Sequence, residues 1–346
     1  MDFTPTEEQE AARELAARIF ADLATHERLR AAGTGTDSEL WKALCAAGLP
    51  GAVEEIGLLG LVLLLEEQGR VTAQVPFAAT CVYGILAVAR YGTEEQRARL
   101  LPGLRDGTTV VTGAFPASGA VAPRDGRLSG AVDWVPWLRD ATHVLVPDGN
   151  GTLWLVRTED AAPVDPVELT APWSAGRLVL DGTPGERLGA GDAAGGAGAD
   201  VLAAARIAFA GLQAGVCAGS LARAVEYTSV REQFGRPLST HQAVQLRAAD
   251  AHMDTEAIRV TAYEAAWRFD EGLDAGGAAL TAAWWASEAG KRVVHAGQHL
   301  HGGMGADLDH PVHRHFLWGR QLDAHLGCGT ELLAELGDLL AEGDLS

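Results

Sequence analysis

The chain has 346 residues, 47% of them apolar, which is enough for two or three domains with a sizeable core and excludes a disordered protein. A formal net charge of −19 argues against a nucleic-acid surface, because neutralising phosphates takes Lys and Arg in excess, so any anionic ligand must be met by local donors. The four cysteines (Cys45, Cys81, Cys217 and Cys328) are far apart with no CxxC, which points away from disulfides and thiolate zinc and towards a reducing, cytoplasmic setting.

The opening MDFTPTEEQE has neither the basic nor the apolar segment of a signal peptide. Thr4-Pro5-Thr6-Glu7 reads as a helix start, with Thr4 as cap, Pro5 in the first helical position and Glu7 completing a capping box. Amphipathic stretches follow in SELWKALCAAGL, ending at Gly48, and LLGLVLLLEEQGR, ending at Gly69. The longest apolar run, IGLLGLVLLL at 56–65, is about half the ~20 residues that a bilayer requires, so we expect a buried helix and no membrane span. GTEEQRARLLPGLRDGT is a fourth piece, closed by Pro102 and Gly103.

From about residue 110 the runs become short and β-like: TTVVTGAF, GRLSGAVDWV, ATHVLVPD, GTLWLVRT and GRLVLDG. They predict a compact antiparallel domain, a small barrel or a sandwich. GAGDAAGGAGAD (189–200) is a connector by composition. Helices return over 201–230, 238–271, 275–301 and 312–341, as in a four-helix bundle. The expected fold is therefore mostly α with a central β domain: helical residues 1–110, β residues 111–195 and a bundle over 196–346.

One stretch interrupts the bundle. VREQFGRP reads as a helix end with Gly235 in the turn and Pro237 blocking continuation, and a new helix starts near Ser239. That corner gathers Arg231, a bidentate fork for phosphate, with Phe234, a face for adenine or ribose. Spacing alone is equally served by an ordinary helix corner with a surface arginine.

The pattern R-x-x-F-G-x-P-L-x-x-x-Q at 231–242 resembles the C-terminal signature of the acyl-CoA dehydrogenase family, as does HLHGGMGADLDHPVHRHF at 299–316. MDFTPTEEQ and YGTEEQRARLLPGLRDGT resemble its N-terminal signatures, and the likeness spans almost the whole chain in order. The order helical domain, β-barrel, four-helix bundle is also that family's architecture. The resemblance implies a tetramer that holds FAD at subunit interfaces and desaturates an acyl-CoA thioester, passing electrons to an acceptor protein. Carried over, Arg231, Phe234 and Gln242 reach the dinucleotide tail, and Gly302 and Gly303 admit it closely.

The chain also departs from the family. The family's base is a Glu that takes the proton next to the thioester carbonyl. Its usual position is Leu326 here, or Cys328 if the alignment slips by two, and the minority position is Ala205, beside Arg206. Asp323 and Glu331 are the nearest substitutes, though helical spacing points them elsewhere. GAVDWVPW keeps Trp134, which the family stacks on the flavin, but puts Pro136, with neither N–H nor hydroxyl, at the family's Thr.

The tail half of a site is present and the ring-and-base half is not. That asymmetry resembles the short subunit of bacterial heterotetrameric acyl-CoA dehydrogenases of sterol side-chain degradation, in which an unlike subunit supplies the base. The alternatives are a self-sufficient homotetramer with a displaced base and a non-enzymatic scaffold. Trp267, Trp284 and Trp285 read as core or interface aromatics. His295 and His299 have i, i+4 metal-ligand spacing, but with no Glu between them they read, with His301, His310, His313, His315 and His325, as packing or solvated residues rather than a metal site.

Overall fold

The computed structural model describes residues 2–116, 120–189, 196–341 and 343. Helix α1 (Glu7–Leu23) begins two residues later than expected, with Thr6 as cap. Gln9, not Glu7, closes the capping box, because Gln9 Oε1 accepts from the Thr6 N–H while its Nε2 donates to the Ile56 carbonyl and ties the helix inward. Then come α2 (His26–Ala32), α3 (Ser38–Ala46) and α4 (Leu49–Arg70), which bends at Gly57 and buries the apolar run Leu58–Leu65. A stretch not anticipated from sequence follows: α5 (Phe77–Ala79), a π-helical turn Thr80–Leu86, and α6 (Ala87–Tyr91). In α7 (Glu94–Asp106) Pro102 lies inside the helix instead of closing it, and Gly107, at φ +80°, is the cap.

The middle of the chain forms two four-stranded sheets. One joins β1 (Val111–Gly113), β4 (His143–Pro147), β5 (Leu153–Arg157) and β8 (Glu186–Arg187); the other joins β2 (Val121–Arg124), β3 (Arg127–Val135), β7 (Gly176–Pro184) and β6 (Asp165–Pro166), each in that order. Every ladder is antiparallel except β1–β4. Leu128, Val135, Leu178 and Leu180 of one sheet share a core with Val144, Val146 and Val156 of the other.

Helix α8 (Ala197–Val230) starts within the expected connector, of which 190–195 lie outside the described residues. It is long and apolar enough to cross a membrane, yet it is the central, mostly buried helix of the protein. A Cβ on Gly215 would lie 2.1 Å from the Glu66 carbonyl oxygen, so α4 and α8 touch backbone to backbone. As a result one apolar core runs from Ala16 to Leu326, through both helical parts.

After α8 come a two-strand hairpin, β9 (Glu232–Gln233) and β10 (Arg236–Pro237), then α9 (Gln242–Asp270) and α10 (Gly276–Leu300). Ser239 lies in a 3-10 turn, and His241 is the residue that precedes α9. The expected last helix is broken in two, α11 (Val312–Asp323) and α12 (Gly329–Ala341). The link turns at Gly327, at φ +111°, where helical backbone cannot continue.

Candidate functional site

The corner after α8 is a tight hairpin, not a plain helix end. Gln233 pairs with Arg236, leaving Phe234 and Gly235 as the turn, both with positive φ (+55° and +77°). Glycine adopts that conformation freely, whereas a phenylalanine is held there against a local strain of about 1 kcal/mol or more. Phe234 is also 91% exposed, and among the described residues only His241 meets its ring, edge-on at 6.1 Å. Arg231 ends α8 with its N–H on the Tyr227 carbonyl, and its own carbonyl accepts from the Leu238 N–H at 2.8 Å. Arg231 and Gln242 are both exposed.

The Gly-Gly loop is brought to the same end. Tyr227, one turn before Arg231, stacks on His301 with ring centres 4.9 Å apart, and His301 directly precedes Gly302 and Gly303. Gly302 has φ +60°, and a Cβ at either glycine would meet nothing within 4 Å, which leaves open backbone facing solvent. An arginine fork, a largely exposed aromatic ring and bare peptide groups suit the phosphates and base of a nucleotide tail.

The opposite situation holds where the ring and base belong. Both base positions are buried: Ala205 fully on α8, and Leu326, 5% exposed, in the α11–α12 link. Beside Leu326 a cavity of only about 20 Å³, also lined by Arg206, Phe209 and His325, has room for one water molecule. His325 fills the space. Its ring centre lies 4.3 Å from Phe209, 5.7 Å from Trp173 and 5.9 Å from Trp134. Trp173 in turn packs on Trp137 and Trp318. Among the described residues neither nitrogen of His325 has a hydrogen-bond partner, and burial holds its pKa down at about 3, so the imidazole is neutral.

Other groups around this plug are also fixed or sealed. Arg206 grips Glu335 through both terminal nitrogens, at 2.8 and 2.6 Å. Tyr83, from the π-helical turn, stacks on Phe115 at 5.2 Å, and its buried hydroxyl has no partner among the described residues. Pro136 is buried, with its carbonyl taking the Thr112 hydroxyl at 2.6 Å. The residues present therefore fit a dinucleotide tail at the α8 corner and do not fit a flavin ring in the chain's own β region.

The nearest acidic substitutes are engaged elsewhere. Asp323 accepts from the Ser287 hydroxyl at 2.6 Å and pairs with Arg320 at 3.2 Å. Glu331 is exposed and accepts from the Cys328 N–H at 2.9 Å, while Cys328 Sγ lies 3.2 Å from the Thr330 hydroxyl. Neither carboxylate lines the cavity. His295 packs edge-on against Phe316, and the described residues contain no cluster of three or more metal-ligating side chains. Sequence reading counted His325 only among the packing or solvated histidines; Phe209, Trp173 and Tyr83 it missed. Their positions carry no local motif.

The fold and these features define an acyl-CoA dehydrogenase framework, and comparison with known sequences agrees. The profile described as "Acyl-CoA dehydrogenase, N-terminal domain" matches residues 6–108, and "Acyl-CoA dehydrogenase, C-terminal domain" matches 197–330. The chain belongs to the acyl-CoA dehydrogenase family, oxidoreductases that act on acyl-CoA. It is 34% identical to the acyl-CoA dehydrogenase FadE27 of Mycobacterium tuberculosis, covering 99% of each chain. Among solved structures it resembles a "Tcur3481-Tcur3483 steroid ACAD" variant, at 43% identity and TM-score 0.91 over 98% of this chain and 99% of that one. It also resembles the ChsE4-ChsE5 complex of Mycobacterium tuberculosis, at 32% identity and TM-score 0.90 over 99% of both chains.

Proposed function

We propose that this chain is the base-lacking subunit of a heterotetrameric, FAD-dependent acyl-CoA dehydrogenase that desaturates a steroid-type acyl-CoA at Cα–Cβ. The observation that carries the reading is the missing base: Leu326 lines a space of about 20 Å³ occupied by His325 and Phe209 instead of a carboxylate and a substrate carbon, and Ala205, at the other position, is fully buried. Arg231, Phe234, Gln242 and the backbone at Gly302 and Gly303 hold the tail of a cofactor whose ring lies in the unlike partner subunit. FAD, when bound, supplies the hydride acceptor; the partner supplies the Glu that removes the α-proton; an electron-transfer protein reoxidises the assembly. Trp134 is given over to the plug and not to a flavin.

Two further observations support assembly and substrate class. Leu246, Met253 and Val260 are 57%, 62% and 49% exposed at seven-residue spacing along α9, an apolar seam suited to a partner helix. The similar structures named above include a two-protein complex and a protein described as a steroid enzyme.

Native mass spectrometry and flavin stoichiometry, with and without the co-expressed genetic neighbour, test the proposal. A colourless chain alone and a yellow, active mixed assembly are expected. A yellow homotetramer that reduces with an acyl-CoA would replace this reading with the self-sufficient enzyme, and absence of flavin in every combination would leave the scaffold.

A further inference from the structure

Gly219, Arg223, Tyr227 and Arg231 recur every fourth residue and so form one stripe along the last turns of α8. The stripe faces the segment after α10. A Cβ on Gly219 would lie 2.6 Å from His315 Nε2, and Tyr227 stacks on His301. Arg223, between these two contacts, faces the same segment. It is half-buried and forms no hydrogen bond or ion pair among the described residues. Desolvation holds its pKa below the usual arginine range, with Glu226 as the opposing acid.

Its surroundings are unusually basic for a chain of net charge −19. His301 and His310 lie 4.9 Å apart, and the charge of Arg223 reaches His310 and His315. Arg314 is 8% exposed and bonds only neutral groups: the Thr72 hydroxyl, the Leu29 carbonyl and Gln74 Oε1. Of the nearby acids, Asp309 is tied to Arg30 at 2.8 Å, and Asp307 faces His310. Burial and then these positive neighbours hold His310 below its ordinary pKa. A desolvated guanidinium with no hydrogen-bonded carboxylate among the described residues, set in a field of its own sign and one helical turn from Tyr227, which stacks on the residue before Gly302, is a place where an anion relieves repulsion.

We propose that Arg223 is a second phosphate-holding residue at this corner, acting with Arg231 and the Gly302–Gly303 backbone on the diphosphate of an adenosine dinucleotide. The inference rests on the tail-clamp reading and adds a residue that the signature motif does not contain.

Titration calorimetry of the flavin-stripped mixed assembly with ADP, and separately with inorganic pyrophosphate, tests it. Losing a charged fork is expected to weaken ADP binding about ten- to a hundredfold in Arg223→Ala, and less in Arg223→Lys, with unchanged melting temperature. If Arg223→Ala binds as the wild type does while Arg231→Ala loses ADP, the inference fails and the clamp stands. If only Arg223→Ala loses pyrophosphate, the Arg223 site stands and the clamp at Arg231 fails. No binding by the wild-type assembly overturns both. Tighter binding of adenosine 3′,5′-bisphosphate than of ADP would assign the site to a coenzyme A-type nucleotide and overturn the proposal as stated.

Discussion

The two ends of α8 differ in what they leave undone. At its C-terminal end Phe234 is held in a strained turn, fully presented, and Gly302 and Gly303 leave bare backbone with nothing against it. Ala205 and Phe209 are buried instead, and His325 and three tryptophans form one aromatic cluster beside Phe209. Exposure at one end and burial at the other are opposite outcomes on the same helix. A site that still binds something keeps local strain and open donors, whereas a site relieved of its ligand is free to become core.

Putting back what is missing should break the sealed end most severely. Leu326→Glu is expected to cost several kcal/mol, because it buries a carboxylate among aromatics where the neighbouring Arg206 is already paired with Glu335, and to confer no desaturation on the chain alone. Denaturant unfolding and an acyl-CoA reduction assay check both, and a stable, active variant would mean that the pocket is open. Phe209→Ala should cost about 3–5 kcal/mol by leaving a cavity under His325.

Acid should act next. His325 has a folded pKa of about 3 against 6.5 when free, so the unfolded chain binds a proton that the folded chain refuses. Its contribution is complete above pH 6.5 and falls as the pH drops towards about 3, at about 1.4 kcal/mol per pH unit. His315, lowered to about 4, acts in the same direction. His325→Leu should flatten the stability profile between pH 6 and pH 4; an unchanged slope would show that the ring is already solvated.

At the open end the effects should fall on binding, not folding. Arg231→Ala is expected to weaken flavin retention in the mixed assembly about ten- to a hundredfold while leaving the melting temperature unmoved, measured by released flavin absorbance. The smallest effect belongs to Asp323→Asn, which keeps an acceptor for Ser287 and should lower stability by about 1 kcal/mol without abolishing turnover. Loss of turnover there would locate the base at Asp323.

Much of this was legible in the sequence because it is local. Gly235 and Pro237 announce the corner, the Gly-Gly pair announces the loop, and the change from helical to alternating periodicity marks the β region. Helix ends were less legible. Thr6 displaced Thr4 as cap because Gln9 could also reach Ile56, and α11 parted from α12 at Gly327 although apolar periodicity runs past it.

By itself the sequence determined the order of the three parts, the tail-gripping motif and the absence of a carboxylate at residues 205 and 326, since each depends on neighbours within a few positions. Only the tertiary structure decided what fills the place left vacant. Tyr83, Trp134, Trp173, Phe209 and His325 come from the π-helical turn, the β region, α8 and the α11–α12 link, and no periodicity connects them. Close packing of the folded chain does, because a buried space without a ligand must be filled by whichever side chains can reach it.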